Sequence, residues 1–363
     1  MVSTKQIMRL LPLEVIKGKK AVINKLLVVL IQANQNICLQ QACEQTGVYS
    51  HSKQILNHFK SFTLDEIKEF FFYSSLAILK LSVKQLNLRY LKLAVDITEE
   101  DYYGKLDNPY IWNRNPAKAP NGATGHFKYL TISATNSNCK LILFNMMLGP
   151  GYQVDEIIPL ALDGIRNLIP IKQVTFDRGF DNHKLVYELE KLKLNYIIFS
   201  KKNKATKKIF EDIWIGKSYS KIRTLSFYKF GEKYVCDAKF VYIKAFQFEK
   251  TEEAYDWIFI TNMSFKSIRH TIASYRNRWG IETTFRVLKQ DFRIKTTSKH
   301  QSVRLMCWFF SMLFYNIWQI AKYFISTTIK AKSFFETLRF GLKIKFKLKY
   351  HYEKEILDFF DLN

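Results

Sequence analysis

Three carboxylates occupy positions that cost free energy unless they bind something. Asp96 follows the apolar run Leu91–Val95. A charge set into such a run is expensive to desolvate, so it belongs at the end of a strand, partnered or bound to a metal ion. Asp177 repeats the arrangement in VTFDRGFDN (174–182), where a short apolar strand runs into the acid and Gly179 permits a tight turn. Two such acids on adjacent strands can share a divalent ion through oxygen ligands. Plainer readings also exist: an Asp that starts a turn, an Asx turn, or an ion pair with Arg178.

The third acid, Glu282, is distinguished by its neighbours. In YRNRWGIETTFRVLK (275–289), Tyr275, Arg278, Glu282 and Lys289 fall at offsets 0, 3, 7 and 14. At about 100° per residue these offsets project within an arc of about 60° on one helix face. Ile281, Phe285, Leu288 and Phe292 form an adjacent apolar stripe suited to packing on a sheet. A solvated helix with i,i+4 ion pairs (Arg278 with Glu282, Glu282 with Arg286) is the plain alternative, and a helix break at Trp279-Gly280 would spoil the projection.

The elements that would position these acids are legible in coarse form. Residues 20–86 have helical spacing, with a capping box at Thr63–Glu66. Residues 39–59 read as helix, Gly47 turn, helix, compatible with a helix-turn-helix whose second helix enters a major groove. From Leu88 the texture changes. Strands are expected at Leu91–Ile97, Lys128–Thr135 and Leu141–Leu148, the last two joined by an Asn-Ser-Asn turn. A helix over 153–168, a strand at Lys172–Phe176, a helix near 183–193 and the strand Tyr196–Phe199 follow. This order suggests a mixed sheet with helices against it. Residues 201–262 are Lys-rich, with strand-like runs at 233–246 and 257–261; the chain then reads as helical to about 328. The divisions expected are 1–87, helical; 88–328, α/β with a β-rich insertion at 201–262; and a basic tail, 329–363.

Composition narrows the partners. The 363 residues carry 56 Lys and Arg against 32 Asp and Glu, a formal charge of +24, and 48% are hydrophobic. Global disorder is excluded, and attraction to polyanions is expected. The basic tail and insertion suit phosphate contacts that position DNA without reading its sequence. Five scattered cysteines (Cys38, Cys43, Cys139, Cys236, Cys307) with no CxxC pair suggest neither a disulfide framework nor a zinc site. His126, His183 and His270 read as structural or solvated. The uncharged run Leu305–Ala321 is at the lower limit of a membrane span and contains Ser311, Asn316 and Gln319, so it reads as a buried core helix. The N-terminal stretch lacks the features of a secretory signal. An intracellular, soluble protein is expected.

Tyr275–Arg278–Glu282–Lys289 resembles the Tyr-Arg-Glu-Lys signature of the DDE transposases of prokaryotic insertion sequences. It follows Asp96 and the Asp177-Arg178-Gly179-Phe180 turn in the order that family uses, over about 90–325. The resemblance implies an α/β, ribonuclease H-like mixed sheet with flanking helices and a β-rich insertion, preceded by a helical N-terminal domain. Asp96 would end the first strand, Asp177 the fourth, and Glu282 would lie on a helix after the insertion. All three would be catalytic and would hold two Mg²⁺ ions, with Mn²⁺ a possible substitute. Tyr275, Arg278 and Lys289 would contact DNA phosphates near the metals. The implied partners are double-stranded DNA, namely terminal inverted repeats and target, and a second copy of the chain in the synaptic complex. A prokaryotic cytoplasm is the implied location. An aromatic residue of the insertion would stack on a displaced base; Trp214 and Trp257 are candidates, although core packing is the commoner role for both. A metal-dependent nuclease of the same fold and a catalytically silent DNA-binding derivative are the competing readings.

Overall fold

The computed structural model describes residues 37–46, 51–113, 122–136, 140–250, 252–324, 330, 333–334 and 336. The expected helix before residue 37, the Gly47 turn, the middle of the Asn-Ser-Asn turn and most of the basic tail lie outside them. In chain order the helices are α1 (Leu39–Thr46), α2 (Ser52–Lys60), α3 (Leu64–Gln85), α4 (Val154–Arg166), α5 (His183–Lys191), α6 (Lys204–Glu211), α7 (Ile268–Arg276), α8 (Trp279–Val287) and α9 (Gln301–Phe324). The strands are β1 (Leu91–Tyr102), β2 (Trp112–Asn113), β3 (Gly125–Ala134), β4 (Ile142–Leu148), β5 (Ile171–Phe176), β6 (Tyr196–Phe199), β7 (Ser218–Lys229), β8 (Glu232–Phe246) and β9 (Tyr255–Thr261). The chain divides into two compact units, 1–82 with 285–363, and 83–284.

The described residues of the first unit are mainly helical. Thr63 and Glu66 form the expected capping box at the start of α3: the Thr63 amide donates to Glu66 Oε2 (2.8 Å) and the Glu66 amide donates to Thr63 Oγ1 (3.2 Å). Helix α9 is buried over almost all of Leu305–Ala321, the uncharged run. Its Phe309 stacks on Phe71 at 4.4 Å and Phe310 meets Phe59 at 5.9 Å. Burial against these rings, not lipid, accounts for the run, and no helix among the described residues is long and apolar enough to cross a membrane.

The second unit is built on one mixed sheet, nine-stranded among the described residues, in the order β2-β3-β1-β5-β6-β9-β8-β7 with β4 also on β3. β1 and β3 are antiparallel, as are β3 and β4; β1, β5 and β6 run parallel. The parallel centre is buried on both faces, which is why Tyr196–Phe199 is an unbroken apolar run and why Thr175, between buried Val174 and Phe176, gives its hydroxyl to the Leu93 carbonyl at 2.9 Å. Helix α5 makes the crossover from β5 to β6, capped by the Asn182 side chain, which accepts from the Lys184 and Leu185 amides. The strands of 201–262 add antiparallel to the same sheet through β9 on β6.

Two of the long strands differ from expectation. β1 does not stop at Ile97 but runs to Tyr102, because antiparallel β3 pairs with it along that whole length. Its parallel pairing with β5 does stop, at Val95 opposite Phe176. Asp96 is therefore not at the end of its strand but at the end of the β1–β5 ladder, where the sheet opens. β7 was not expected at all. It is an edge strand of Ser, Lys, Arg and Tyr, most of it exposed, so burial imposes little apolar alternation on it.

Candidate active site

Three elements of the second unit bring the acids together. β1 delivers Asp96 just past the last β1–β5 pair, and β5 delivers Asp177 just past Phe176. The Asp177 carboxylate is fixed locally: its Oδ1 accepts from the Gly179 amide at 2.7 Å, closing the 3₁₀ turn Arg178–Phe180. A β-carbon on Gly179 would lie 2.9 Å from that same oxygen.

Glu282 comes from α8, and the helix that carries the four-residue pattern is interrupted just before Trp279-Gly280. Regular helix stops at Arg276 and restarts at Trp279. Between them the turns tighten: the Arg278 amide bonds Tyr275 O, that of Gly280 bonds Asn277 O, and that of Ile281 bonds Arg278 O, all i to i+3. The single-face projection therefore fails in detail, yet Tyr275, Arg278 and Glu282 stay in contact. Lys289 lies in the other compact unit, in the π turn Leu288–Phe292.

Two features fix this segment. Gln173 of β5 donates from Nε2 to the carbonyl of Ser274 (3.0 Å), both residues buried, pinning the end of α7 to the strand that carries Asp177. Gly280 brings α8 onto the end of β3, where an added β-carbon would lie 3.1 Å from Thr135 Cγ2 and 3.2 Å from its Cβ. Neither residue is singled out by the acidic pattern; only the tertiary contact reveals them.

Arg278 is the centre of the charge arrangement. One guanidinium nitrogen donates to Glu282 Oε1 at 2.6 Å, the other terminal nitrogen lies 3.6 Å from Asp96 Oδ2, and Nε donates to the Tyr275 hydroxyl at 3.1 Å. The Arg278 side chain is 11% exposed, so these contacts are only partly screened by water. Tyr275 is buried in an apolar cluster with Phe199, Phe259, Val241 and Ile243. Burial raises its phenol's pKa; Arg278 opposes this, and the charges of Asp177 and Glu282 add to it. Burial also pushes Asp96 up to about 6, against Arg278 and the Ile97 amide, with Asp177 and Glu282 raising it further. Asp177 and Glu282 thus act on Asp96 electrostatically, and Arg278 does not fully offset the burial of Asp96.

That imbalance, with three hard oxygen donors on rigid elements, fits a divalent cation in chemistry. The side chains do not already converge on one point, because Glu282 is engaged by Arg278; among the described residues no three His, Cys, Asp or Glu groups stand at the spacing of a metal cluster. His126 lies 3.4 Å from Glu99, and His183 Nδ1 contacts Ser226 O at 3.0 Å. Trp257 packs among Phe199, Phe259 and Tyr275, as core. Trp214 does not: it is 84% exposed, on a turn completed by Gly216 at φ +73°.

Residues 152–317, which include Asp177 and Glu282, match the family model described as Transposase DDE domain. That stretch, a little under half of the chain, is similar to a DDE transposase domain. Among solved structures, a piggyBac transposase in its synaptic complex with hairpin DNA aligns with a TM-score of 0.57 at 13% identity, over 90% of this chain and 72% of that one. The likeness covers more of the chain than the family match does, and the fold is ribonuclease H-like. A Mos1 transposase paired-end complex aligns with a TM-score of only 0.20, at 12% identity over 43% of this chain and 52% of that one. No curated protein matches in sequence.

Proposed function

We propose that this protein is a DNA transposase of the prokaryotic insertion-sequence group with the Tyr-Arg-Glu-Lys signature, cleaving transposon ends and joining them to target DNA. The observation that carries this reading is the meeting of Asp96 and Asp177 at the opening of the β1–β5 ladder with Glu282, linked to Asp96 through Arg278. In cleavage, a water oxygen forms a bond to phosphorus as it loses a proton, and the P–O3′ bond breaks to leave a 3′-hydroxyl. In joining, that hydroxyl attacks a target phosphodiester in the same way. Asp96, Asp177 and Glu282 would hold two Mg²⁺ ions, or Mn²⁺ in their place. Bound there, the ions supply activation of the attacking oxygen and stabilisation of the leaving one.

The chain's own residues orient the DNA. Arg278, held by the Tyr275 hydroxyl, is a charge-assisted donor for a phosphate once Glu282 is otherwise engaged. Lys289 is a second phosphate contact, and exposed Trp214 is a residue of the insertion suited to stacking on a displaced base. The helices of 1–87 are the candidate end-recognition domain, and the basic tail, 329–363, a non-specific phosphate contact. Assembly on two ends calls for a homodimer, and the setting is a prokaryotic cytoplasm, where that DNA lies.

The test is Mg²⁺-dependent nicking of DNA bearing the element's own ends, comparing wild type with Asp96→Ala, Asp177→Ala and Glu282→Ala, followed by a strand-joining assay. Loss of nicking in each variant supports the site, and joining separates transposase from nuclease. DNA binding without nicking in wild type would favour the silent, DNA-binding derivative.

A further inference from the structure

Three arginines flank the acids, and they differ in how their charge is met. Arg278 is paired with Asp96 and Glu282, and Arg276 with Glu249 (3.3 Å) and Glu252 (2.8 Å). Arg178, one residue from Asp177, makes no ion pair among the described residues. It is instead held by two neutral rings: its guanidinium lies 4.9 Å over Phe199, and one terminal nitrogen donates to the Tyr255 hydroxyl at 3.2 Å. The strand order explains the meeting. β5, β6 and β9 are neighbours, so the C-terminal ends of β5 and β6 and the N-terminal end of β9 share one edge of the sheet. Tyr255 is 38% exposed and carries a second cation, Lys202, 4.3 Å over its ring.

We propose that Arg178, oriented by Phe199 and Tyr255, is a binding site for a DNA backbone phosphate beside Asp177; the proposal rests on the transposase reading above. A guanidinium fixed in orientation loses little freedom on binding, and its planar fork matches two phosphate oxygens. It is exposed and its charge is uncompensated, whereas a latch between loops would need neither feature. The site also answers an electrostatic need: DNA brought to three carboxylates meets repulsion, and Arg278 is already committed to those carboxylates. Lys202 contributes less, since Asp256 lies 3.5 Å from its ammonium.

The experiment is equilibrium binding of a labelled random-sequence duplex to the full-length protein, in EDTA so that no strand is cut, across a series of salt concentrations. Loss of one phosphate contact should reduce the slope of log K against log salt by about 0.9. Arg178→Ala is expected to show that change and to bind about tenfold more weakly at low salt. Arg178→Lys should keep the slope and bind several-fold more weakly, because the charge remains and the fork is lost. Tyr255→Phe should behave like Arg178→Lys, through the same guanidinium set adrift. Thermal melting identifies any variant that fails to fold, and Arg178→Gln, which keeps a donor for Tyr255, then replaces Arg178→Ala. An unchanged slope and affinity in a folded charge-removing variant overturns the phosphate site while leaving the DNA-binding reading intact. Absence of binding by wild type overturns both.

Discussion

Gly280 lies so close to Thr135 that a β-carbon on it would sit 3.1 Å from the threonine's methyl group. This contact sets how near α8, and with it Glu282, approaches the sheet that carries Asp96. Gly280→Ala is expected to displace the helix by a few tenths of an ångström and to lower nicking about tenfold, since misplaced catalytic groups lose rate steeply. Thr135→Ser removes the obstructing methyl while keeping a hydroxyl for the Lys92 carbonyl, so the double variant should recover part of the activity, the Thr135 Cβ contact at 3.2 Å remaining. Additive losses in that double-mutant cycle would mean the two sites do not act through the contact.

Asp96 makes the protein's stability depend on pH in a particular sense. Burial, reinforced by Asp177 and Glu282, takes it from an ordinary 3.8 to about 6, so the folded chain binds the proton more tightly than the unfolded one. Its favourable contribution is complete below about pH 3.8 and is lost as pH rises through about 6; above that, the ionised group costs stability. Without divalent metal, Asp96→Asn should melt above wild type at pH 8, by up to about 3 kcal/mol for a shift of about two units. The gap should close by pH 4. Parallel melting profiles for the two proteins from pH 4 to 8 would rule out the assigned cause.

How much of this was legible beforehand follows from burial. The acids were visible because a charge beside LKLAV or VTF has few inexpensive explanations, and the central strands because double burial leaves apolar runs. Strand β7 and helix α6 were not, since α6 buries only Thr206 and Phe210 and its lysines read like a linker. A break was signalled by Trp279-Gly280, but its place at Asn277–Arg278 was not, because 3₁₀ tightening preserves local helical spacing. The extension of β1 past Asp96 depends on β3, a partner about 30 residues away that no local pattern encodes. Gly280 and Gln173 have meaning only through Thr135 and Ser274, and Arg178 only through Tyr255.

Gly179 should behave as part of the site although it has no side chain. Its amide holds Asp177 Oδ1 at 2.7 Å, and a β-carbon would press on that oxygen at 2.9 Å. The short Asp side chain must then rotate away, moving a proposed metal ligand and leaving β5 intact. Gly179→Ala is expected to cost about 1 kcal/mol or less of stability, as an exposed turn change, while abolishing most nicking. A variant that melts like wild type and nicks at the wild-type rate would show that the Asp177–Gly179 bond is dispensable.

Arg278 and a bound cation should compete for the same carboxylates. With Arg278 11% exposed and 2.6 Å from Glu282, Arg278→Ala leaves Asp96 and Glu282 without their cation. Breaking such a pair from one side costs about 3 kcal/mol when it is well buried, and less here because Glu282 is 48% exposed. In EDTA the variant should therefore melt below wild type. Mg²⁺ should then stabilise the variant more than it stabilises wild type, because no guanidinium has to be displaced and the metal-free reference carries the unrelieved repulsion. Differential scanning fluorimetry over a Mg²⁺ titration reads both effects, with Asp96→Asn/Glu282→Gln as the control that should not respond. If Arg278→Ala gains no more from Mg²⁺ than wild type does, the arginine and the metal do not share these oxygens, and the ion must be held by other groups.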